Sequence, residues 1–295
     1  MVEERIRKGA YMSVIKMRDM LKNAEEHGYG VPAINIFNFE SAKYAIKAAE
    51  EAEMPIIIQL YPGFDKHIPL KIAVDMVHDL AVKASVPVTM HEDHSNYAQA
   101  VIGIGAGFES VMIDGSALPY EENVALTKSV VDLASGQRID VEAELGHVGT
   151  GSNLADFTDS GKFTDPDQAV DFAAKTGCSS LAVAVGNAHG NYAKLPVLDF
   201  DRIAALRQKL SIPLVMHGGS DIPYDQMQKA VLLGMTKFNI ATEYQRCFYR
   251  NAAKFYESGE SKDVYLAGLA ALEKPCKEFV KAKIEMLNPK GYKLA

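Results

Sequence analysis

Short apolar runs recur along the chain, and each one ends in a cluster of polar residues. The clearest run covers residues 86–95, where Val-Pro-Val-Thr-Met is followed by His-Glu-Asp-His-Ser. Runs that begin near Ser180 and Ile212 repeat this design and end in Gly-Asn-Ala-His-Gly and His-Gly-Gly-Ser. Apolar runs without polar alternation are typical of strands that are buried on both faces. The pattern therefore predicts buried strands whose polar ends lie at the edge of a site.

Eight such strands are predicted, and stretches with helical spacing separate them. The strands are expected at 31–37, 55–60, 86–95, 110–116, 140–146, from 180, from 212 and at 237–243; helices are expected at 14–27, 39–53, 70–84, 97–105, 121–134, from 164, at 199–209 and at 223–233. Strand–helix alternation implies parallel pairing, and eight units favour a closed barrel. We predict an α/β protein, a (β/α)8 TIM barrel in one domain of residues 1–295. A polar extension at 1–11 and extra C-terminal helices at about 244–287 complete it.

Composition excludes several classes of partner. The 295 residues carry a net charge of −7 and contain no basic run, which argues against binding to nucleic acid. No stretch approaches the ~18 apolar residues of a membrane span. Cys178, Cys247 and Cys276 are widely spaced and odd in number, which fits a reducing compartment rather than a disulfide framework. These features predict a cytoplasmic protein without a membrane or nucleic-acid partner.

Three histidines occupy the same position relative to their strands. His94, His189 and His217 each follow an apolar run, and in a barrel the functional site lies at the carboxyl ends of the strands. A single histidine there is more often a hydrogen-bonded core residue, but the register recurs three times. Imidazole nitrogens suit zinc, and three protein ligands leave a position open for substrate. We therefore predict that these three residues bind one Zn²⁺ or another divalent metal ion. His91 is assigned a structural or supporting role.

Carboxylates accompany these histidines. Asp93 precedes His94, where it could exchange a proton with a substrate hydroxyl or orient a metal ligand. Glu142 and Glu144 share one face of the fifth strand, and Glu144 is a candidate for a second or alternative metal site. Asp114 is a candidate to orient a histidine.

A phosphate site is predicted from the seventh and eighth strand ends. Glycine lets the backbone approach an anion, and hydroxyl groups add hydrogen-bond donors. The loops after strands seven and eight commonly bind phosphate in barrels. The predicted contacts are Gly190, Gly218, Gly219, Ser220, Asn239, Ile240, Ala241 and Thr242. The polar segment 149–162 is either a lid over the site or a solvated loop.

Taken together, the motifs resemble those of the class II, metal-dependent ketose-bisphosphate aldolases over about residues 14–287. The strongest matches are Asp93-His94, Val141-Glu-Ala-Glu-Leu-Gly146, Gly186-Asn-Ala-His-Gly190, Met216-His-Gly-Gly-Ser220 and Asn239-Ile-Ala-Thr-Glu243. The resemblance implies zinc on the three histidines, Asp93 as proton donor to the C4 oxygen, and dihydroxyacetone phosphate in the glycine-rich site. It also implies Asn239 as a donor to the enediolate, a monovalent cation near the phosphate, and a homodimer or homotetramer.

Three departures from the family pattern leave alternatives open, one of them Glu92 in place of a residue that is usually apolar or small. The loop after the fifth strand reads Gly-Thr-Gly-Ser-Asn at 149–153 and lacks the usual acidic pair; Asp156 and Asp159 are the nearest acids. Asp221 replaces a glycine that commonly follows Ser220, so it could repel a phosphate. We expect an aldolase that cleaves a phosphorylated ketose, resembling fructose- or tagatose-bisphosphate. The alternatives are a non-catalytic sugar-phosphate-binding or partner subunit and a metal-dependent epimerase or isomerase.

Overall fold

Eight parallel strands form a closed barrel in the computed structural model, which describes residues 13–259 and 264–294. The predicted extension at 1–11 lies outside the described residues. Each strand pairs with its neighbours in chain order, and β8 closes the barrel against β1. The predicted (β/α)8 barrel is confirmed. The strands are β1 (Val31–Asn35), β2 (Ile56–Leu60), β3 (Val88–Ser95), β4 (Ser110–Ile113), β5 (Asp140–Leu145), β6 (Ser180–Val183), β7 (Leu214–Met216) and β8 (Met235–Ile240).

Helices surround the barrel and connect successive strands. They are α1 (Met17–His27), α2 (Phe39–Ala52), α3 (Leu70–Ala81), α4 (Tyr97–Ala106), α5 (Tyr120–Ser135), α6 (Leu154–Thr158), α7 (Pro166–Thr176), α8 (Phe200–Lys209), α9 (Tyr224–Leu232), α10 (Thr242–Ser258) and α11 (Tyr265–Met286). Short 3-10 turns lie at Pro62–Phe64 and Ser160–Lys162. Every residue of β1, β2, β5 and β8 is buried, which explains why the strands lack polar alternation.

The C-terminal helices pack on the outside of the barrel. Tyr44 of α2 donates its hydroxyl to the Leu269 carbonyl of α11 at 2.7 Å, and Lys47 pairs with Glu273 at 2.8 Å. Lys281 of α11 pairs in turn with Glu51 of α2 at 3.0 Å. Within the described residues, no helix is long and apolar enough to cross a membrane.

The predicted boundaries were wrong mainly around the site. The eighth strand was expected at 237–243, but β8 ends at Ile240 and Thr242 already begins α10. The segment 149–162, expected to be entirely loop, contains α6 and a 3-10 turn. In each case polar side chains that suggested a loop or a strand end instead lie at the start of a helix. Asn153, for example, accepts a hydrogen bond from the Ala155 N–H and caps α6.

Candidate metal centre and substrate cavity

An irregularity at the end of β3 brings two consecutive residues into one cavity. The pairing register of β3 with β4 shifts between Glu92 and Ser95, and His94 has a left-handed backbone with φ 54°. Regular alternation would place Asp93 and His94 on opposite faces of the strand. With the irregularity, both line a cavity of about 180 Å³ at the carboxyl end of the barrel.

The three predicted metal ligands converge at this cavity. His94 Nε2 lies 3.1 Å from His189 Nε2 and 2.9 Å from His217 Nδ1. In a tetrahedral zinc site with Zn–N bonds of 2.0–2.1 Å, ligand nitrogens lie about 3.3 Å apart. The observed spacing is slightly tighter, so a small outward shift of the rings would seat one ion.

The opposite nitrogen of each ring contacts a group that can only accept a hydrogen bond. His94 Nδ1 lies 2.9 Å from Asp114 Oδ2, His189 Nδ1 lies 3.2 Å from the Val148 carbonyl, and His217 Nε2 lies 2.8 Å from Glu142 Oε1. These acceptors fix the proton on the outer nitrogen of each neutral ring. In neutral rings with protonated outer nitrogens, the inner nitrogen of each ring carries a lone pair, and the three lone pairs face the same space. They cannot hydrogen-bond to one another, because each can only accept. The donor set therefore fits a divalent cation.

The electrostatic environment also favours a cation. Burial lowers the pKa of His189 and His217, which keeps both rings in the neutral, ligating form. Burial would lower the pKa of His94 as well, but the carboxylates of Asp93 and Asp114 raise it to about 9. The carboxylates of Asp93 and Asp114, which stabilise the protonated form of His94, would likewise stabilise a metal ion bound to its Nε2.

Glu144 lies beside the three histidines. Its Oε2 is 3.5 Å from His217 Nδ1 and has no hydrogen-bond partner, and burial together with Asp114 raises its pKa to about 8. Glu144, Asp114 and His94 also form a second group of ligand atoms that lie within 4.8 Å of one another. This geometry is compatible with the predicted second or alternative metal position.

Amide side chains surround the Asp93 carboxylate. Asn35 Nδ2 and Gln59 Nε2 donate to Oδ2 at 2.8 and 3.2 Å, and Asn239 Nδ2 donates to Oδ1 at 3.0 Å. Burial raises the pKa of Asp93, but the neighbouring imidazoles, Lys237 and the Asn35 hydrogen bond outweigh it and lower the pKa below its ordinary value. Asp93 is thus an ionised, fixed proton acceptor beside the metal ligands.

Most of the predicted phosphate contacts line the cavity. Gly190, Gly218, Ser220, Asn239, Ala241 and Thr242 all line it, and Tyr61, Phe64 and Gln245 complete it. Gly219 and Ile240 do not line it: the Gly219 N–H donates to the Asn239 carbonyl at 3.0 Å, and Ile240 is fully buried. Thr242 opens the 17-residue helix α10, whose N-terminus is the positive end of the helix dipole and whose Glu243 N–H donates to Ser220 Oγ at 3.3 Å.

Asp221 does not line the cavity. Its carboxylate accepts hydrogen bonds from Arg246 Nη1 at 2.9 Å and Nη2 at 2.8 Å, and Arg246 also contacts Asn191. A bidentate guanidinium pair neutralises the charge that could otherwise repel a phosphate.

The first residues of segment 149–162 form main-chain hydrogen bonds with His189, a candidate metal ligand. The His189 N–H donates to the Gly149 carbonyl at 2.8 Å, and the Gly151 N–H donates to the His189 carbonyl at 2.7 Å. Asp156 accepts from the Thr150 N–H at 2.9 Å and pairs with Lys162 at 2.8 Å, and these contacts hold its pKa at about 2. Asp156 is thus a structural residue of the loop in this conformation. Any movement of the loop start would displace His189.

Sequence reasoning missed several residues around the site. Lys237 lies fully buried behind it, and Gln59, Arg246 and the Val148 carbonyl were not assigned roles. A charged residue inside an apolar strand, two positions before Asn239, was the available signal for Lys237. Arg246 is 25 positions from Asp221, and a main-chain acceptor such as Val148 has no sequence signature.

Comparison with known proteins agrees with this geometry. A family model described as "Fructose-bisphosphate aldolase class-II" matches residues 15–292. The chain is similar to the YdjI aldolase of Escherichia coli K12, with 35% identity, a TM-score of 0.83, and coverage of 93% of this chain and 97% of that one. It shares its fold with a fructose-bisphosphate aldolase from Campylobacter jejuni, with 23% identity, a TM-score of 0.80, and coverage of 93% and 95% of the two chains.

Proposed function

The chain belongs to the class II fructose-bisphosphate aldolase family, and we propose that it is a zinc-dependent aldolase that reversibly cleaves a phosphorylated ketose to dihydroxyacetone phosphate and an aldehyde. Family membership identifies it as an aldolase, a carbon–carbon lyase of the metal-dependent class. The observation that carries the finer proposal is the convergence of three imidazole nitrogens beside the Asp93 carboxylate.

Asp93 exchanges the proton of the reacting hydroxyl. His94 Nε2 lies 3.9 Å from Asp93 Oδ1, so a substrate oxygen that approaches the ligand nitrogens also approaches the carboxylate. Cleavage removes the C4 hydroxyl proton, and condensation returns it. A bound divalent ion would supply Lewis-acid polarisation of the ketone oxygen.

Asn239 stabilises the charge that develops on the three-carbon fragment. Its amide lines the cavity and donates to Asp93 at 3.0 Å, so it can also donate to a nearby substrate oxygen. The N–H groups at the start of α10, together with the Ser220 and Thr242 hydroxyls, hold the phosphate. The carboxylate of Asp156 is committed within the loop, so we do not assign it as the base that handles the enediolate proton.

Retro-aldol assays on several ketose mono- and bisphosphates, with and without a chelator, test this function. We expect dihydroxyacetone phosphate to appear, to disappear with chelator and to return with Zn²⁺. Because the Asp156 carboxylate is occupied by contacts within the loop, one rival function is a sugar-phosphate-binding subunit without activity. Absence of turnover on every substrate would support that rival. Interconversion of ketoses without cleavage would instead indicate an epimerase or isomerase.

A monovalent cation, a homodimer or homotetramer, and a cytoplasmic location stay predictions.

A further inference from the structure

A buried lysine lies behind the cavity and contacts two of its neighbours. Lys237 on β8 is fully buried, and its Nζ donates to Asn239 Oδ1 at 2.8 Å. The same amine lies 3.0 Å from Glu142 Oε1 and 2.9 Å from Oε2, on β5 across the barrel. A buried ammonium is costly unless it is paired and hydrogen-bonded, and these contacts meet that requirement.

One contact determines which way the Asn239 amide points. The Lys237 ammonium can only donate, and the Asp93 carboxylate can only accept. Asn239 lies between them, with Oδ1 toward Lys237 and Nδ2 3.0 Å from Asp93 Oδ1. Only this orientation satisfies both neighbours, so Lys237 fixes the amide that faces the cavity as a donor.

The contact of Lys237 with Glu142 connects the lysine to His217, one of the candidate metal ligands. Glu142 Oε1 accepts from Lys237 and lies 2.8 Å from His217 Nε2. That contact keeps the His217 proton on Nε2 and leaves Nδ1 as the ligand atom. His91 Nε2 is 3.8 Å from Glu142 Oε2 on the remaining side, too far for a hydrogen bond. Lys237 is therefore the one strong donor to Glu142 besides His217 among the described residues.

We propose that Lys237 is a positioning residue that links the metal centre to the proton-transfer group, by orienting His217 through Glu142 and Asp93 through Asn239. This inference rests on the proposed function for its effect on turnover. It differs from a purely structural role, in which Lys237 would do no more than balance the buried charge of Glu142.

Two variants separate these roles. Lys237→Met removes both contacts at similar volume, and Lys237→Met with Glu142→Gln removes the buried charges together while the glutamine can still accept from His217. For each we would measure thermal stability, metal affinity by chelator competition, the visible spectrum of the Co²⁺-loaded protein, and kcat at saturating metal. The wild type and Asn239→Ala serve as references.

The single variant should lose stability and bind metal at least about tenfold more weakly, as expected when a residue that orients a ligand is removed. The double variant should recover stability, metal affinity and the Co²⁺ spectrum, while kcat stays at least about tenfold low. Its kcat should match that of Asn239→Ala, and adding Asn239→Ala should lower it no further, because the two changes disrupt one network.

Recovery of kcat together with stability in the double variant would reduce Lys237 to a charge partner and overturn the proposal. If the single variant does not fold, the double variant alone decides. If the wild type cleaves no ketose phosphate, the proposed function fails, but the inference is still tested. Metal affinity and the Co²⁺ spectrum then report on His217, and a crystal structure of the double variant reports on Asn239. An Asn239 side chain still at its wild-type position against Asp93 would contradict the inference.

Discussion

His94 Nε2 lies 3.9 Å from Asp93 Oδ1, although the two residues are consecutive and belong to a strand. The left-handed backbone of His94 and the register shift of β3 make this approach possible. A non-glycine residue in that conformation costs about 1–3 kcal/mol, and such strain is concentrated at functional sites. Here it brings a carboxylate and a metal-ligand candidate into the same cavity.

Replacing Asp93 with alanine should separate proton transfer by Asp93 from metal binding by the three histidines. We expect Asp93→Ala to keep its metal, because the three imidazoles and their orienting acceptors remain. It should lose about 10²–10⁴-fold in kcat, the usual contribution of a positioned acid–base group. Metal analysis alongside steady-state kinetics measures both, and an unchanged kcat would move the proton role to another residue.

His217 and His91 form a matched pair for testing the ligand assignment. Both are fully buried, but only His217 directs a ring nitrogen at His94, whereas His91 Nδ1 contacts Ser110 Oγ at 3.0 Å. His217→Ala should lower metal affinity by more than about 100-fold and abolish cleavage. His91→Gln should retain stoichiometric metal. Normal zinc content in His217→Ala would refute the assignment.

Arg246 should matter through the charge of Asp221. Arg246→Ala leaves that carboxylate unpaired, next to Ser220, a predicted phosphate contact. Repulsion of ~1 kcal/mol would raise the KM for a phosphorylated substrate about fivefold. Asp221→Gly in the same chain should restore KM. A KM that stays high in the double variant would show that Arg246 itself contacts the substrate.

Gly218 and Gly190 both have left-handed backbones, with φ 60° and 84°, but differ in the space around them. A Cβ at Gly218 would overlap the Ala188 carbonyl, whereas one at Gly190 would meet nothing within 4 Å. Alanine at either should cost ~1–2 kcal/mol of unfolding free energy for the backbone conformation. Gly218→Ala should lose a further ~1–3 kcal/mol from the overlap. Denaturant unfolding in chelator would measure both, and equal losses would argue against the close approach.

His78 should make part of the stability pH-dependent. A hydrogen bond to Glu109, at 2.7 Å, raises the pKa of His78 above its ordinary value. The folded state therefore holds this proton more tightly, and the contribution is complete below the ordinary pKa of about 6.5 and lost as pH rises through the folded-state value.

His78→Gln should accordingly reduce the free energy of unfolding by about 0.5 kcal/mol near pH 5, and by less at alkaline pH. His67→Gln is the control, because the His67 ring contacts the Phe37 carbonyl rather than a carboxylate. A difference that does not change with pH would contradict the assignment.

The barrel and the histidine cluster could be predicted because they depend on patterns that are local in sequence. Each metal-ligand candidate follows an apolar run, and parallel strands bring their carboxyl ends together whatever the details of the helices. The α7 start was equally local: Asp165 accepts from the Asp167 and Gln168 N–H groups, with Pro166 at the first turn.

What could not be predicted depends on contacts between distant segments. Asp221 looked unfavourable beside a phosphate until the fold placed Arg246 against it. Asp156 was one of the two acids nearest in sequence to the missing acidic pair, and the structure commits it to Thr150 and Lys162. Residues 241–243 were assigned to β8 because sequence alone does not show where α10 begins.

The acceptors that orient the three rings differ in how easily mutation can remove them. Asp114 and Glu142 use side-chain carboxylates, so a single codon change can eliminate either one. The acceptor for His189 is the main-chain oxygen of Val148, which every amino acid at that position would still carry. Natural variants of this chain should therefore keep the His189 acceptor with any residue at 148 whose side chain fits that buried position, while purifying selection keeps acceptors at 114 and 142.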